Sequence, residues 1–66
     1  MKLTLNGAEV EVESRCSIEF LLKLHKFDTA AIAVAVNQEF VPRGRYREIN
    51  LKENDDVEVV APMQGG

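Results

Sequence analysis

Residues 1–13 alternate between apolar and polar side chains around an Asn-Gly pair, and this pattern leaves the chain few ways to fold. The alternation runs through residues 2–5, breaks at Asn6-Gly7 and resumes over residues 8–13. A tight type I′ turn needs positive φ at both central residues, which Asn and Gly tolerate best. The segment therefore predicts a β-hairpin with one buried face and one solvated face.

A helix is predicted directly after the hairpin, over about residues 18–27. Ser17 can cap its first turn, because a serine hydroxyl accepts a hydrogen bond from a first-turn N–H. Apolar side chains recur at the helical spacing, and His25 falls on the same stripe, where we expect a partly buried packing residue. The members of the stripe are Ile18, Phe20, Leu21, Leu22, Leu24 and Phe27.

Three short strands are predicted in the second half of the chain. Residues 32–36 are apolar on both faces, Asn37-Gln38 has turn character, and residues 39–41 form a return strand. Residues 43–48 are polar and predicted to be irregular, and residues 57–61 form the last strand. Two hairpins, one helix and a final strand predict an α+β protein of the β-grasp, or ubiquitin-like, type, with a mixed four- to five-stranded sheet and one main helix on one face.

This reading places a single domain at residues 1–61 and a flexible tail at residues 62–66, ending in Gly-Gly. A chain of 66 residues holds one domain, and hydrophobic packing must stabilise it, because one cysteine cannot form an intrachain disulfide. The expected core consists of Leu3, Leu5, Val10, Val12, Ile18, Leu21, Leu22, Ile32, Val34, Leu51, Val57 and Val59.

Composition excludes several classes of function. One histidine and one cysteine provide no metal constellation, and a net charge of -3 argues against nucleic acid as the main partner. The first residues do not have the pattern of a signal peptide, and no apolar run is long enough to span a membrane. A lone thiol fits a reducing compartment, so we expect a cytoplasmic protein with no membrane partner.

Two features have alternative readings. Arg43, Arg45 and Arg47 form a basic cluster, which we interpret as a solvated loop balancing the acidic segment 53–58, with docking onto an acidic partner as the alternative. Cys16 precedes the predicted helix, where a helix dipole can lower a thiol pKa. We expect a structural role for it, since no histidine is placed beside it by the sequence.

The terminal segment 62–66 carries the most distinctive chemistry of the sequence. Pro62 lacks a backbone N–H and should end strand pairing, and Gly65-Gly66 makes the end thin and flexible. Five residues beyond Ala61 span at most about 17 Å when extended, enough to reach into an enzyme's active site. The alternative is a frayed terminus without function.

The chain resembles the ThiS family, the sulfur carriers of thiamine biosynthesis, over essentially its whole length, and three segments are the most telling. Residues 35–43 look like the family's strand-turn-strand block, and residues 62–66 look like its ending. The helix opening at residues 17–22 fits as well, although the family more often has Thr at the position of Ser17. The length is closer to this family than to the related MoaD subunits of molybdopterin synthase.

The resemblance implies a carrier that is not an enzyme. A ThiF-like adenylyltransferase would use ATP to adenylate the carboxylate of Gly66, and a sulfur donor protein would supply a persulfide that converts it to a thiocarboxylate. A ThiG-like thiazole synthase would accept the sulfur. Gly65, Gln64 and Met63 would thread the partners' active sites, and the carrier itself would bind no cofactor and no metal.

A docking face for these partners is expected on the outer side of the sheet, at Ala33, Ala35, Phe40 and Val60. For Phe40 taken alone, a small buried satellite cluster is the default interpretation. The sequence leaves other functions open: a MoaD-like subunit for molybdopterin synthesis, a ubiquitin-like protein modifier attached through Gly66, or a passive binding module.

Overall fold

The computed structural model describes residues 1–61. Within that range the chain forms five strands, one α-helix and one short 3-10 helix. In chain order these are β1 (Lys2–Leu5), β2 (Ala8–Glu11), α1 (Ile18–Leu24), β3 (Ala33–Val36), β4 (Glu39–Val41), the 3-10 helix (Arg43–Arg45) and β5 (Asp56–Val60).

The five strands form a single mixed sheet in the order β2-β1-β5-β3-β4. The last strand lies in the centre, parallel to β1 and antiparallel to β3. The two hairpins, β1-β2 and β3-β4, therefore flank β5 on opposite sides. This confirms the predicted α+β class and the mixed sheet, at the upper end of the predicted number of strands.

Both hairpins close through two-residue turns in the left-handed region of backbone space. Asn6 and Gly7 have φ of 51° and 84°, and Asn37 and Gln38 have φ of 51° and 71°. Positive φ at both central positions matches the right-handed twist of the flanking strands, which is why such turns dominate short hairpins. Both predicted turns are confirmed, including the second one, which contains no glycine.

Helix α1 begins at its predicted cap and ends earlier than predicted. The Ser17 Oγ accepts a hydrogen bond of 3.0 Å from the Phe20 N–H. At the other end, Lys26 takes a φ of 63°, and the Phe27 N–H donates to the carbonyl of Leu22. This is the Schellman arrangement, which closes a helix and usually places glycine where Lys26 stands. Without a glycine to mark it, the predicted end at residue 27 was wrong.

The hydrophobic core lies between α1 and one face of the sheet. Nine of the expected core residues are buried, while Val10, Val12 and Ile32 are half-buried. Val10 lies on the edge strand β2, which has a neighbouring strand on only one side. The buried set also includes three residues that the periodicity did not indicate: Cys16, Val41 and Tyr46.

Two further details of the fold depart from expectation. His25 is exposed, because it follows the last residue of α1, so the predicted packing role was wrong. Part of the segment expected to be irregular forms the short 3-10 helix, followed by the buried Tyr46. No helix among residues 1–61 is long and apolar enough to cross a membrane.

Candidate functional site

The sheet face turned away from α1 brings four predicted docking residues together. Successive side chains of a strand point to opposite faces, so Ala33 and Ala35 lie opposite to the buried Val34. Ala35 is paired with Phe40 of β4, and Ala33 is paired with Val60 of β5. We refer to Ala33, Ala35, Phe40 and Val60 as the outer apolar patch.

Two large side chains of the outer apolar patch are open to solvent. Phe40 is 70% exposed and Val60 is 60% exposed, more than the exposed Phe20 and Leu24 of α1. The small side chain of Ala35 across from Phe40 leaves the aromatic ring uncovered. The buried satellite cluster considered for Phe40 is therefore wrong.

An acidic residue interrupts the outer apolar patch. Glu58 is exposed, lies between Val57 and Val59 on β5, and is paired with Ala35. The other half of the same face is charged: the Lys2 ammonium lies 3.8 Å from the Glu9 carboxylate. The outer face is therefore divided into an apolar half over β3-β4 and a charged half over β1-β2. A complementary partner surface would be apolar with a cationic group positioned for Glu58.

The outer apolar patch includes the end of β5. Val60 is the last residue of β5, and Ala61 is the last residue that the structure describes. The predicted reacting residue Gly66 and the predicted threading residues Gly65, Gln64 and Met63 lie outside the described range. Their roles, and the domain boundary placed after residue 61, stay predictions.

Cys16 is fully buried in the core. Burial raises the pKa of its thiol, and the negative charge of Glu13 acts in the same direction, whereas the positive charge of the amino terminus opposes it. A nucleophilic cysteine needs an accessible thiolate with a lowered pKa, so this environment favours the expected structural role. Among residues 1–61, no three His, Cys, Asp or Glu side chains are arranged to hold a metal ion.

Each arginine of the cluster has one surface contact within the protein. The Arg45 Nε lies 2.9 Å from the Glu48 Oε1, and the Arg47 Nε lies 3.8 Å from the Glu19 Oε1. Arg43 donates a longer hydrogen bond of 3.4 Å to the carbonyl of Ala30. The paired carboxylates lie outside the segment 53–58, which these arginines were expected to balance. All three arginines remain exposed, and surface ion pairs are weak, so docking onto an acidic partner stays an alternative.

The five-stranded mixed sheet with α1 packed on one face defines the class of protein, a β-grasp protein. The family model described as "ThiS family" matches residues 3–66, nearly the whole chain. The chain therefore belongs to the ThiS family, which confirms the resemblance found in the sequence.

Individual relatives agree with this assignment. The crystal structure of the thiamine biosynthesis protein ThiS from Geobacter metallireducens has a TM-score of 0.88 and 29% identity, with 100% of both chains covered. The sulfur carrier protein ThiS of Bacillus subtilis is 31% identical over 65 residues, covering 97% of this chain and 98% of that protein.

Longer proteins also contain a similar segment. A thiazole synthase of Paramagnetospirillum magneticum is 35% identical over 66 residues, which is 100% of this chain and 20% of that protein. A thiazole synthase of Magnetococcus marinus is 38% identical with the same coverage. The chain thus spans about a fifth of the length of these relatives.

Proposed function

We propose that this protein is a sulfur carrier of thiamine biosynthesis and a co-substrate of its partner enzymes, with no catalytic activity of its own. The observation that carries the proposal is the end-to-end similarity to the ThiS protein of Bacillus subtilis, over 98% of that protein's length. The TM-score of 0.88 to a ThiS crystal structure supports the same conclusion from the similarity of the two folds.

The reacting group in this proposal is the carboxylate of Gly66. A carboxylate is a poor electrophile, so one of its oxygens first attacks the α-phosphate of ATP and pyrophosphate leaves. A persulfide sulfur then attacks the carbonyl carbon of the acyl-adenylate and displaces AMP. A thiol cleaves the resulting sulfur–sulfur bond and leaves the thiocarboxylate, a soft nucleophile whose position is set by binding energy from the protein body.

Three partners follow from this cycle: a ThiF-like adenylyltransferase, a sulfur donor protein and a ThiG-like thiazole synthase. The thiazole synthase has support from the relatives in which a similar segment forms a fifth of a longer chain. We assign the outer apolar patch as the docking surface, because exposed apolar side chains next to an acidic group suit a partner with complementary charge. The cycle takes place in the cytoplasm in this proposal, and the carrier binds neither metal nor cofactor.

Docking and chemistry are separated along the chain in this arrangement. The outer apolar patch belongs to β3, β4 and the end of β5, while residues 63–65 thread the partner's active site and Gly66 reacts. Binding at the patch holds the carrier without contact to the reacting carbonyl. The outer apolar patch can therefore bind two enzymes in turn, provided that each enzyme has an active-site channel next to its docking surface.

The proposal is tested by mass spectrometry of the intact protein from cells that make thiamine. A carrier shows a fraction heavier by the difference between one sulfur atom and one oxygen atom, located on Gly66 by fragmentation. Covalent conjugates to lysine would instead identify a protein modifier. Copurification with a pterin synthase subunit would identify the MoaD-like alternative, and unmodified protein alone would favour a passive module.

Removal of Gly66 is the direct test of the reacting group. In a protein produced as residues 1–66, deletion of Gly66 should abolish ATP–pyrophosphate exchange with the cognate adenylyltransferase, because the carboxylate no longer reaches the nucleotide. The control Gly66→Ala keeps the length of the tail and should retain measurable exchange. Circular dichroism should show the same fold for all three proteins. Full exchange by the truncated protein would contradict the mechanism.

A further inference from the structure

Both hairpin turns hold the central strand β5 through their first residue, which is asparagine in each case. The Asn6 N–H donates to the Val57 carbonyl at 2.9 Å, and the Asn6 Oδ1 accepts from the Val59 N–H at 2.7 Å. On the other side of β5, the Asn37 N–H donates to the Asp56 carbonyl at 2.7 Å, and the Asn37 Oδ1 accepts from the Asp56 N–H at 3.0 Å.

The two asparagines hold opposite ends of β5. Asn37 binds Asp56, the first residue of the strand, and its Nδ2 also donates to the Asp55 Oδ1 at 3.0 Å. Asn6 binds Val59, one residue before the strand ends. Only the Asn6 contact therefore lies next to the residues that lead into the segment 62–66.

The Asn6 side chain extends the sheet beyond the end of β1. The parallel pairing of β1 with β5 ends with Leu5 opposite Val57, whereas β5 continues to Val60. On its other side, β5 remains paired with β3 as far as Val60. The amide oxygen of Asn6 takes the place of the next β1 carbonyl. It accepts the hydrogen bond of the partly buried Val59 N–H, which no residue of β1 reaches.

We propose that Asn6 is a positioning residue for the carrier chemistry: its amide oxygen fixes the direction in which β5 delivers the tail to the partner's active site. This inference rests on the proposed function. Without the Asn6 contact, the end of β5 is hydrogen-bonded on one side only and can pivot about β3. When a partner's channel holds the tail extended, a small angular change at Val59 shifts the position of Gly66 by several ångströms, and misplacement of about 1 Å can cost on the order of a hundredfold in rate.

The chain offers a matched set of variants for the test. Asn6→Gly removes the acceptor and keeps a residue that tolerates positive φ, so the turn itself is preserved. Asn6→Asp restores an oxygen acceptor at the same position. Asn37→Gly is the control, because it removes side-chain hydrogen bonds from the start of β5 in a turn with the same φ of 51°.

The first measurement is hydrogen exchange of the backbone amides by NMR. Asn6→Gly should accelerate exchange of the Val59 amide by roughly tenfold relative to its neighbours, the size expected for one lost hydrogen bond. Asn6→Asp should retain protection at Val59, and Asn37→Gly should affect Asp56 instead. Unchanged protection of Val59 in Asn6→Gly would overturn the proposed contact.

The second measurement is the maximal rate of adenylate formation with the cognate adenylyltransferase at saturating carrier. Asn6→Gly should lower kcat by roughly tenfold with little change in KM, because the docking surface is intact while the carboxylate is misplaced. Asn6→Asp should restore kcat. Asn37→Gly should leave kcat within about twofold, since a smaller folded fraction raises the apparent KM and does not change the rate at saturation.

The outcomes separate this inference from the proposed function. If the wild-type protein forms no adenylate, the proposed function fails. If the wild-type protein reacts and Asn6→Gly has the same kcat as Asn37→Gly, the positioning role of Asn6 fails while the carrier function stands.

Discussion

The two faces of the sheet carry the same kinds of apolar residue at very different exposure. On the inner face Val34, Val57 and Val59 are at most 5% exposed and pack with α1 in one core. On the outer face Val60 and Phe40 are 60% and 70% exposed. The same strand β5 contributes adjacent valines to both faces, so their different burial is set by the alternation of the strand.

Burial alone indicates what each face contributes to the free energy of folding. Complete burial of a valine side chain stabilises a protein by about 1.5–3 kcal/mol, whereas an exposed valine contributes only a fraction of that. Small domains have little stability to spare. Because Val60 is exposed, a polar residue at this position would cost little folding free energy. Exposed apolar side chains grouped on one half of a face therefore add little to stability, which supports the proposed docking role.

The largest expected effect comes from substituting the two adjacent valines of β5. Val59→Ala should lower the free energy of unfolding by about 1.5–3 kcal/mol, because it removes buried methyl groups and leaves a cavity. Val60→Ala should change it by less than about 0.5 kcal/mol, as is usual for surface substitutions. Urea denaturation of both variants measures the difference. Equal losses would contradict the division of the sheet into a stabilising face and a binding face.

The next effect concerns the proposed docking surface and is measured as affinity. Phe40→Asp should weaken binding to the cognate adenylyltransferase or thiazole synthase by about tenfold or more, since aromatic residues at the centre of an interface often contribute over 1.4 kcal/mol. Its unfolding free energy should remain close to that of the wild-type protein, because the side chain is exposed.

The matched control for Phe40→Asp is Phe20→Asp on the opposite side of the molecule. Phe20 is 45% exposed on α1, in the first turn, where a carboxylate is tolerated by the helix dipole. Isothermal titration calorimetry should give a wild-type affinity for this variant. If Phe20→Asp weakened binding as much as Phe40→Asp, the outer apolar patch would lose its assignment as the docking surface.

Regular local patterns made much of this fold predictable. Alternation around Asn6-Gly7 indicated the first hairpin, and helical spacing after Ser17 indicated the start of α1, because each depends on neighbours in the sequence. The end of α1 was not predictable in the same way. A Schellman closure at Lys26 is marked by glycine in most helices, and here the left-handed residue is a lysine.

Contacts between residues far apart in the sequence could not be predicted from local patterns. Tyr46 is buried although it lies among exposed arginines, since its place depends on the loop folding back over the core. Asn6 was recognised as a turn residue, but its hydrogen bond to Val59 joins positions 53 residues apart. The four residues of the outer apolar patch could be predicted from strand alternation, whereas the division of that face into an apolar and a charged half required the strand order.

The smallest predicted effect is a loss of stability at alkaline pH, which tests the inner face once more. Burial raises the pKa of the Cys16 thiol in the folded protein, with Glu13 adding to the shift. In the unfolded chain the thiol ionises from about pH 8.5 upward. The folded state therefore binds the proton more tightly, so this contribution to stability is fully present below that pH and decreases as the pH rises toward the folded-state pKa.

Unfolding curves between about pH 7 and pH 9.5 should reveal this dependence, because that range brackets the ionisation of an unburied thiol. The wild-type protein should lose stability across the range, and Cys16→Ala should have a flatter profile even if its stability at neutral pH is lower. Burial also raises the pKa of Tyr46, but an ordinary tyrosine ionises only near pH 10, so its contribution begins later and is common to both proteins. Identical slopes would mean that the Cys16 thiol is not protected from ionisation. A steeper slope in the wild-type protein would show that the core, which includes Cys16, disfavours the charged thiolate. The exposed side chains of the outer face have no such restriction.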